Sequence, residues 1–190
     1  MTNADSIYSF IVRKIKILDN DEPYSRAMCA KLRRAIGKHP GATPDIWEIT
    51  MGEAPDNWSS HKGKPTLEEW AVHTTLSLYA LHRQGKNRSM NQQGQSLGTA
   101  IGQLARDENK LKPIQRRFSS MATSTEFTEL AYHARGLVQL LKAEDIPMDY
   151  PSFAKDLFWF QIPGYADPIR LRWGEDFYKT INKAERTDEQ

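Results

Sequence analysis

A single cysteine, Cys29, occurs in the 190 residues. That excludes an intramolecular disulfide and any metal site built from several thiolates, and it agrees with a cytoplasmic setting. No apolar run approaches the roughly 18 residues that suggest a membrane span. The opening MTNADS lacks the basic region, apolar segment and small-residue cleavage pattern of a signal peptide, so none is expected. Catalytic motifs are equally scarce. The nucleotide-hydrolase loop GxxxxGK[ST] is absent, and so is HExxH. His39, His61, His73, His82 and His133 are dispersed, and Asp45, Glu48, Glu68 and Glu69 do not specify a nuclease centre. Cys29 has no nearby histidine to activate it and reads as a small core residue. Neither an enzyme nor a bound metal or cofactor is expected.

What the chain does have is unevenly placed positive charge. The formal net charge is only +2, with 39% hydrophobic and 26% charged residues, a composition suited to a soluble globular protein. Yet Arg26, Lys31, Arg33, Arg34 and Lys38 give residues 26–39 a charge of +5 with no acid among them. Between residues 83 and 117, Arg83, Lys86, Arg88, Arg106, Lys110, Lys112, Arg116 and Arg117 oppose only Asp107 and Glu108, leaving +6. The remaining segments are mildly acidic. Two concentrated basic blocks suit a sugar-phosphate backbone better than an uncharged substrate.

The apolar spacing is helical throughout. Ile7, Phe10, Ile11, Ile15 and Leu18 predict a helix over 4–18. Pro23 opens a second helix to Ile36, with Ala27, Ala30, Leu32 and Ala35 packing and Lys31, Arg33 and Arg34 supplying charge. The 40–65 connector is rich in turns, with a short helix from Thr43-Pro44; Trp47 and Trp58 read as packing anchors rather than base-stacking platforms. Thr66-Leu-Glu-Glu69 is a capping box that starts a deeply packed helix over 67–83. Residues 85–95 read as a solvent-facing loop. Ser96 begins another helix, in which Gly98 and Gly102 permit close approach of a second helix or of a nucleic-acid backbone. Further helices are expected from about Pro113, over 124–142 with a box from Thr123 to Glu126, from Pro151, and from Asp167-Pro168 through Leu171, Trp173 and Tyr178, followed by a frayed KAERTDEQ tail. The fold class is all-α: two packed helical lobes, residues 1–110 and 111–190.

At LHRQG (81–85), SLG (96–98) and RRF (116–118), the chain resembles the small-subunit family of type I-E CRISPR interference complexes, the CasB family of Cascade small subunits. The likeness continues through HARGLVQLLK (133–142), IPMDYPSFAKDL (146–157) and RLRWGEDFY (170–178), with AKLRRA (30–35) resembling the family's early basic helix. It departs from the family pattern at Ala134, around Asn91–Gly94, and in the 40–65 connector. The resemblance implies an all-helical, non-catalytic scaffold in an RNA-guided DNA-binding assembly, beside other Cascade subunits and a second copy of itself. It would help hold guide RNA and target DNA, displaced strand included. The basic contacts it implies are Arg33 or Arg34, Arg83, Lys86, Arg88, Arg106, Arg116, Arg117 and Arg135, and Lys110 of the second basic block is a further candidate. Two other readings stay open on the residues alone: an independent nucleic-acid-binding protein, and a purely structural subunit.

Overall fold

The computed structural model describes residues 3–59 and 62–188; His61 lies outside them. Helix α1 spans Asn3–Asp19 and buries Ile7, Phe10, Ile11, Ile15 and Leu18, the predicted stripe. Helix α2, Pro23–Arg34, starts on its proline and buries Ser25, Met28, Cys29 and Leu32. Ala27 is exposed, contrary to the expectation, because the buried face is centred on Met28 and Leu32. Three turns of 3-10 helix and the short helix α3, Trp47–Thr50, make the connector. Trp58 is fully buried against Phe10, as an anchor should be. Trp47 is less enclosed: it is 41% exposed, and its indole N–H donates to the Pro40 carbonyl.

Helix α4, Leu67–His82, is the axis of the molecule, with every residue from Ala71 to His82 buried. Its capping box forms as predicted: the Glu69 amide donates to Thr66 Oγ1 at 3.2 Å, and the Thr66 amide to Glu69 Oε2 at 2.7 Å. Helix α5, Leu97–Leu104, is capped by Ser96. A Cβ on Gly98 would sit 2.2 Å from the Trp173 carbonyl oxygen, and one on Gly102 would sit 2.7 Å from Thr180 Cβ. The glycines therefore serve helix–helix contact rather than a nucleic-acid backbone.

Helix α6, Glu108–Ala122, begins five residues before Pro113, because Asp107 caps it by accepting from the Asn109 amide. Helix α7 is Phe127–Ala143. The expected box at Thr123 does not form; the Thr123 and Ser124 hydroxyls donate back to the Ser119 and Ser120 carbonyls and finish α6 instead. Helix α8, Tyr150–Phe160, is capped by Asp149, whose carboxylate accepts from the Ser152 and Gly94 amides. Helix α9, Ala166–Asp188, runs through most of the tail expected to fray, and Leu171 and Tyr178 are exposed on it. A Cβ on Gly174 would meet nothing, so that glycine serves no close contact.

The helices cluster in two lobes: α1, α2, α4 and α8 pack together, as do α5, α6, α7 and α9, joined by α4 on α7 and α8 on α9. The 85–95 segment is not simply solvent-facing. The Asn91 side chain accepts from the Tyr150 amide, and buried Gln95 donates to the Pro147 carbonyl. Among the described residues the only β feature is the isolated bridge between Asn91 and Met148.

Candidate nucleic-acid interface

The C-terminal end of α4 gathers the first set of cations. Apolar packing buries this end, so its polar groups must find partners inside the protein. The Tyr79 hydroxyl donates to Asp19 and lies 3.2 Å from Ser89 Oγ. His82 Nδ1 is 2.9 Å from the Tyr150 hydroxyl. Burial, then the charge of Lys86, pushes the His82 pKa down to about 4. Arg83 is held by Asp19 through Nε at 3.0 Å and through the Asp19 carbonyl at 2.7 Å. Lys86 pairs with the Asp145 carboxylate and Arg88 donates to the Asp145 carbonyl. Asp145 takes a left-handed φ of 55° at the end of α7, which turns both groups to this site. Lys86 holds its carboxyl below the usual carboxylate range. Arg33 reaches the same corner with a long 3.4 Å bond to the Ala80 carbonyl.

One cation here was not expected from the sequence. Lys142 of α7 donates to Gln84 at 2.9 Å, and its ammonium is disfavoured by burial and then by Arg33 and Lys86. The positive charges of Arg33 and Lys86 therefore add to burial against the Lys142 ammonium at this corner. Lys142 lies seven residues after Arg135, two helical turns along one face of α7, about 10 Å apart by helical rise. That spacing was the available signal.

Arg135 and Tyr132 stand on the crest of α7 between two grooves. On one side Arg117, His133, Gly136 and Gln139 complete a groove against α6. On the other, Lys38, Ile36, Trp70, His73 and Ser77 complete a groove against α2 and α4. Lys38, also missed as a site residue, belongs to the first basic block; Arg117 belongs to the second. Tyr132 is 73% exposed.

The ten sequence-derived cations thus divide. Arg33, Arg83, Lys86, Arg88 and Lys110 are engaged within the fold, Lys110 through Glu144 at 2.8 Å. Arg34, Arg106, Arg116, Arg117 and Arg135 are exposed, and their side chains make no hydrogen bond or ion pair with the described residues. Arg83, Lys86 and Arg88 come together at the end of α4, and Arg117 and Arg135 come together at α7. No groove described above includes Arg34, Arg106 or Arg116. Among the described residues no cluster of histidine, cysteine and carboxylate is placed to hold a metal, and no helix is long and apolar enough to cross a membrane.

The described residues define a two-lobed, all-helical protein in which Arg117 and Arg135 stand exposed beside one groove of α7. Residues 28–178 match the family CRISPR-associated protein Cse2, and the chain belongs to it. Members of this family are non-catalytic scaffold subunits of Cascade-like complexes. The chain is similar to the crystal structure of CasB from Thermobifida fusca, with 27% identity and a TM-score of 0.77 over 91% of this chain and 98% of that one. A Cse2-family protein from Thermus thermophilus is similar at 20% identity and a TM-score of 0.66, over 94% and 99% of the two chains. A chain of a CRISPR RNA-guided surveillance complex shares the fold at 19% identity and a TM-score of 0.72, over 97% and 98%. No curated protein matches the chain.

Proposed function

We propose that this subunit clamps nucleic-acid backbones in an RNA-guided DNA surveillance complex and stabilises the guide RNA–target DNA R-loop, displaced strand included. It would work beside other Cascade subunits and a second copy of itself. One observation carries the reading: Lys38 and Arg117, from basic blocks separated by an acidic stretch of sequence, flank the same Arg135–Tyr132 crest of α7. Exposed, unpaired guanidiniums can neutralise phosphates and release counterions without first breaking an internal bond. Base pairing between guide and target would supply sequence recognition, and this subunit a positioned cationic surface.

A purely structural role has its own support, since five of the ten candidate cations already have partners within the chain. Reconstitution of the complex with and without the subunit separates the two. Clamping predicts that Arg116→Ala with Arg117→Ala leaves assembly intact and shortens R-loop lifetime, with strand-resolved crosslinks from α6 and α7 to nucleic acid. Unchanged opening and lifetime in an intact complex would leave the structural role.

A further inference from the structure

The chain passes between the two lobes over residues 83–96 from α4 to α5, over 144–149 from α7 to α8, and over 161–165 from α8 to α9. The first two crossings run side by side and are bonded to each other. The Met148 amide donates to the Met90 carbonyl and the Gln92 amide to the Met148 carbonyl, both at 3.1 Å. The Asp149 amide donates to the Gln95 carbonyl at 2.7 Å. The Gln95 side chain adds a bond to the Pro147 carbonyl at 2.7 Å, and the Asn91 side chain accepts from the Tyr150 amide at 2.9 Å. Met90, Gln95, Met148 and Asp149 are buried, so the crossings satisfy each other's polar groups in place of water.

An aspartate fastens each end of the second crossing to the first. At one end the Asp145 carboxylate pairs with Lys86, and its carbonyl accepts from Arg88. At the other, Asp149 accepts from the Ser152 amide through Oδ1, which caps α8, and from the Gly94 amide through Oδ2 at 2.8 Å. A single free crossing turns about its own φ and ψ, as hinge loops do. Two crossings bonded along their length oppose that rotation. The angle they hold matters at the groove that carries both Lys38 and Arg135. Lys38 follows α2 in the first lobe and Arg135 stands on α7 in the second, so opening the lobes changes the span between them.

Resting on the backbone-clamping reading, we infer that the paired crossings are a splint that sets the angle between the lobes, and that Asp145 and Asp149 are positioning residues for the clamp. Neither brings a positive charge to a phosphate. Both hold Lys38 at a fixed span from Arg117 and Arg135, so that one strand meets all three. The splint and simple electrostatics therefore make opposite predictions. Neutralising an acid raises the positive potential and tightens the hold on a polyanion. Severing the splint loosens it.

The test uses Asp149→Asn and Asp145→Asn, each chosen to keep the local backbone. Asparagine caps a helix about as well as aspartate, so the Ser152 bond survives while the Gly94 amide faces an NH₂. It also accepts the positive φ of 55° at position 145 and keeps the carbonyl for Arg88 while losing the ion pair with Lys86. Spin labels on cysteines at the exposed positions Ala27 and Ser119, one in each lobe, with Cys29→Ala, report the interlobe distance in the full chain. Both asparagine variants should broaden that distance distribution with circular dichroism unchanged. In the reconstituted complex both should shorten R-loop lifetime roughly fivefold, about the weight of one internal hydrogen bond. Lys86→Met, which changes the charge in the opposite sense, should do the same. An unchanged distribution, or a longer R-loop lifetime in the asparagine variants, overturns the splint and leaves the clamp standing. A broadened distribution with unchanged lifetime overturns the positioning role. The clamp itself is judged separately by Arg117→Ala with Arg135→Ala: an unchanged lifetime there overturns that reading and the positioning role with it.

Discussion

Several of the groups that matter most at the level of single residues are titratable and buried. His82 has an ordinary imidazole pKa of about 6.5 when unfolded and one near 4 in the fold. The unfolded chain therefore takes up the proton first as pH falls. Stability drops through the window from about 6.5 down to 4, and the loss from this one group approaches about 3 kcal/mol by pH 4. Burial shifts His73 in the same direction. Urea denaturation at pH 7 and pH 5 should give a lower midpoint at pH 5, with a smaller difference in His82→Gln; an equal difference in that variant would contradict the assignment. The sequence showed His82 only as one of five scattered histidines. Its partner Tyr150 lies 68 positions away, and no local pattern reports such a contact. Arg83 is the same case in reverse. Its charge was legible, but its engagement by Asp19, 64 residues upstream, was not.

At the level of elements, local chemistry predicted well where the signal was local. The α4 capping box and the apolar stripe of α1 formed as read, because each depends on residues within a turn or two. Prediction failed where two local signals competed. Thr123 and Ser124 can start α7 or finish α6, and their hydroxyls take the second role. Asp107 overrode Pro113 as the start of α6. Helix α5 shows a tertiary demand outweighing propensity. Alanine at Gly98 or Gly102 would favour an isolated helix by about 1 kcal/mol. Here the added carbon meets the backbone of α9, at the Trp173 and Phe177 carbonyls. Gly98→Ala and Gly102→Ala should each lose about 1–3 kcal/mol net in denaturant titrations. A gain in stability would mean that α5 and α9 are not held this closely.

For the whole molecule, the fold class and the family were legible because helical periodicity and the ordered motifs from LHRQG to RLRWGEDFY extend over most of the chain. The candidate site was legible only in part. The charges of residues 83–117 could be counted, but not which would be consumed internally, and Lys38 and Lys142 were passed over because their neighbours come from other helices. Among the described residues Arg117 and Arg135 have no side-chain partner; they stand on either side of the α6–α7 groove, with Lys38 across the crest. A surface of this kind should report itself through salt. Each phosphate contact removed lowers the dependence of log affinity on log salt by roughly one unit. The most direct measurement is the lifetime of opened target DNA in the reconstituted complex across a salt series, comparing the unaltered subunit with Lys38→Ala, Arg117→Ala and Arg135→Ala combined. The clamp predicts a shorter lifetime and a slope shallower by about two to three units with assembly unchanged; identical lifetimes and slopes would contradict it.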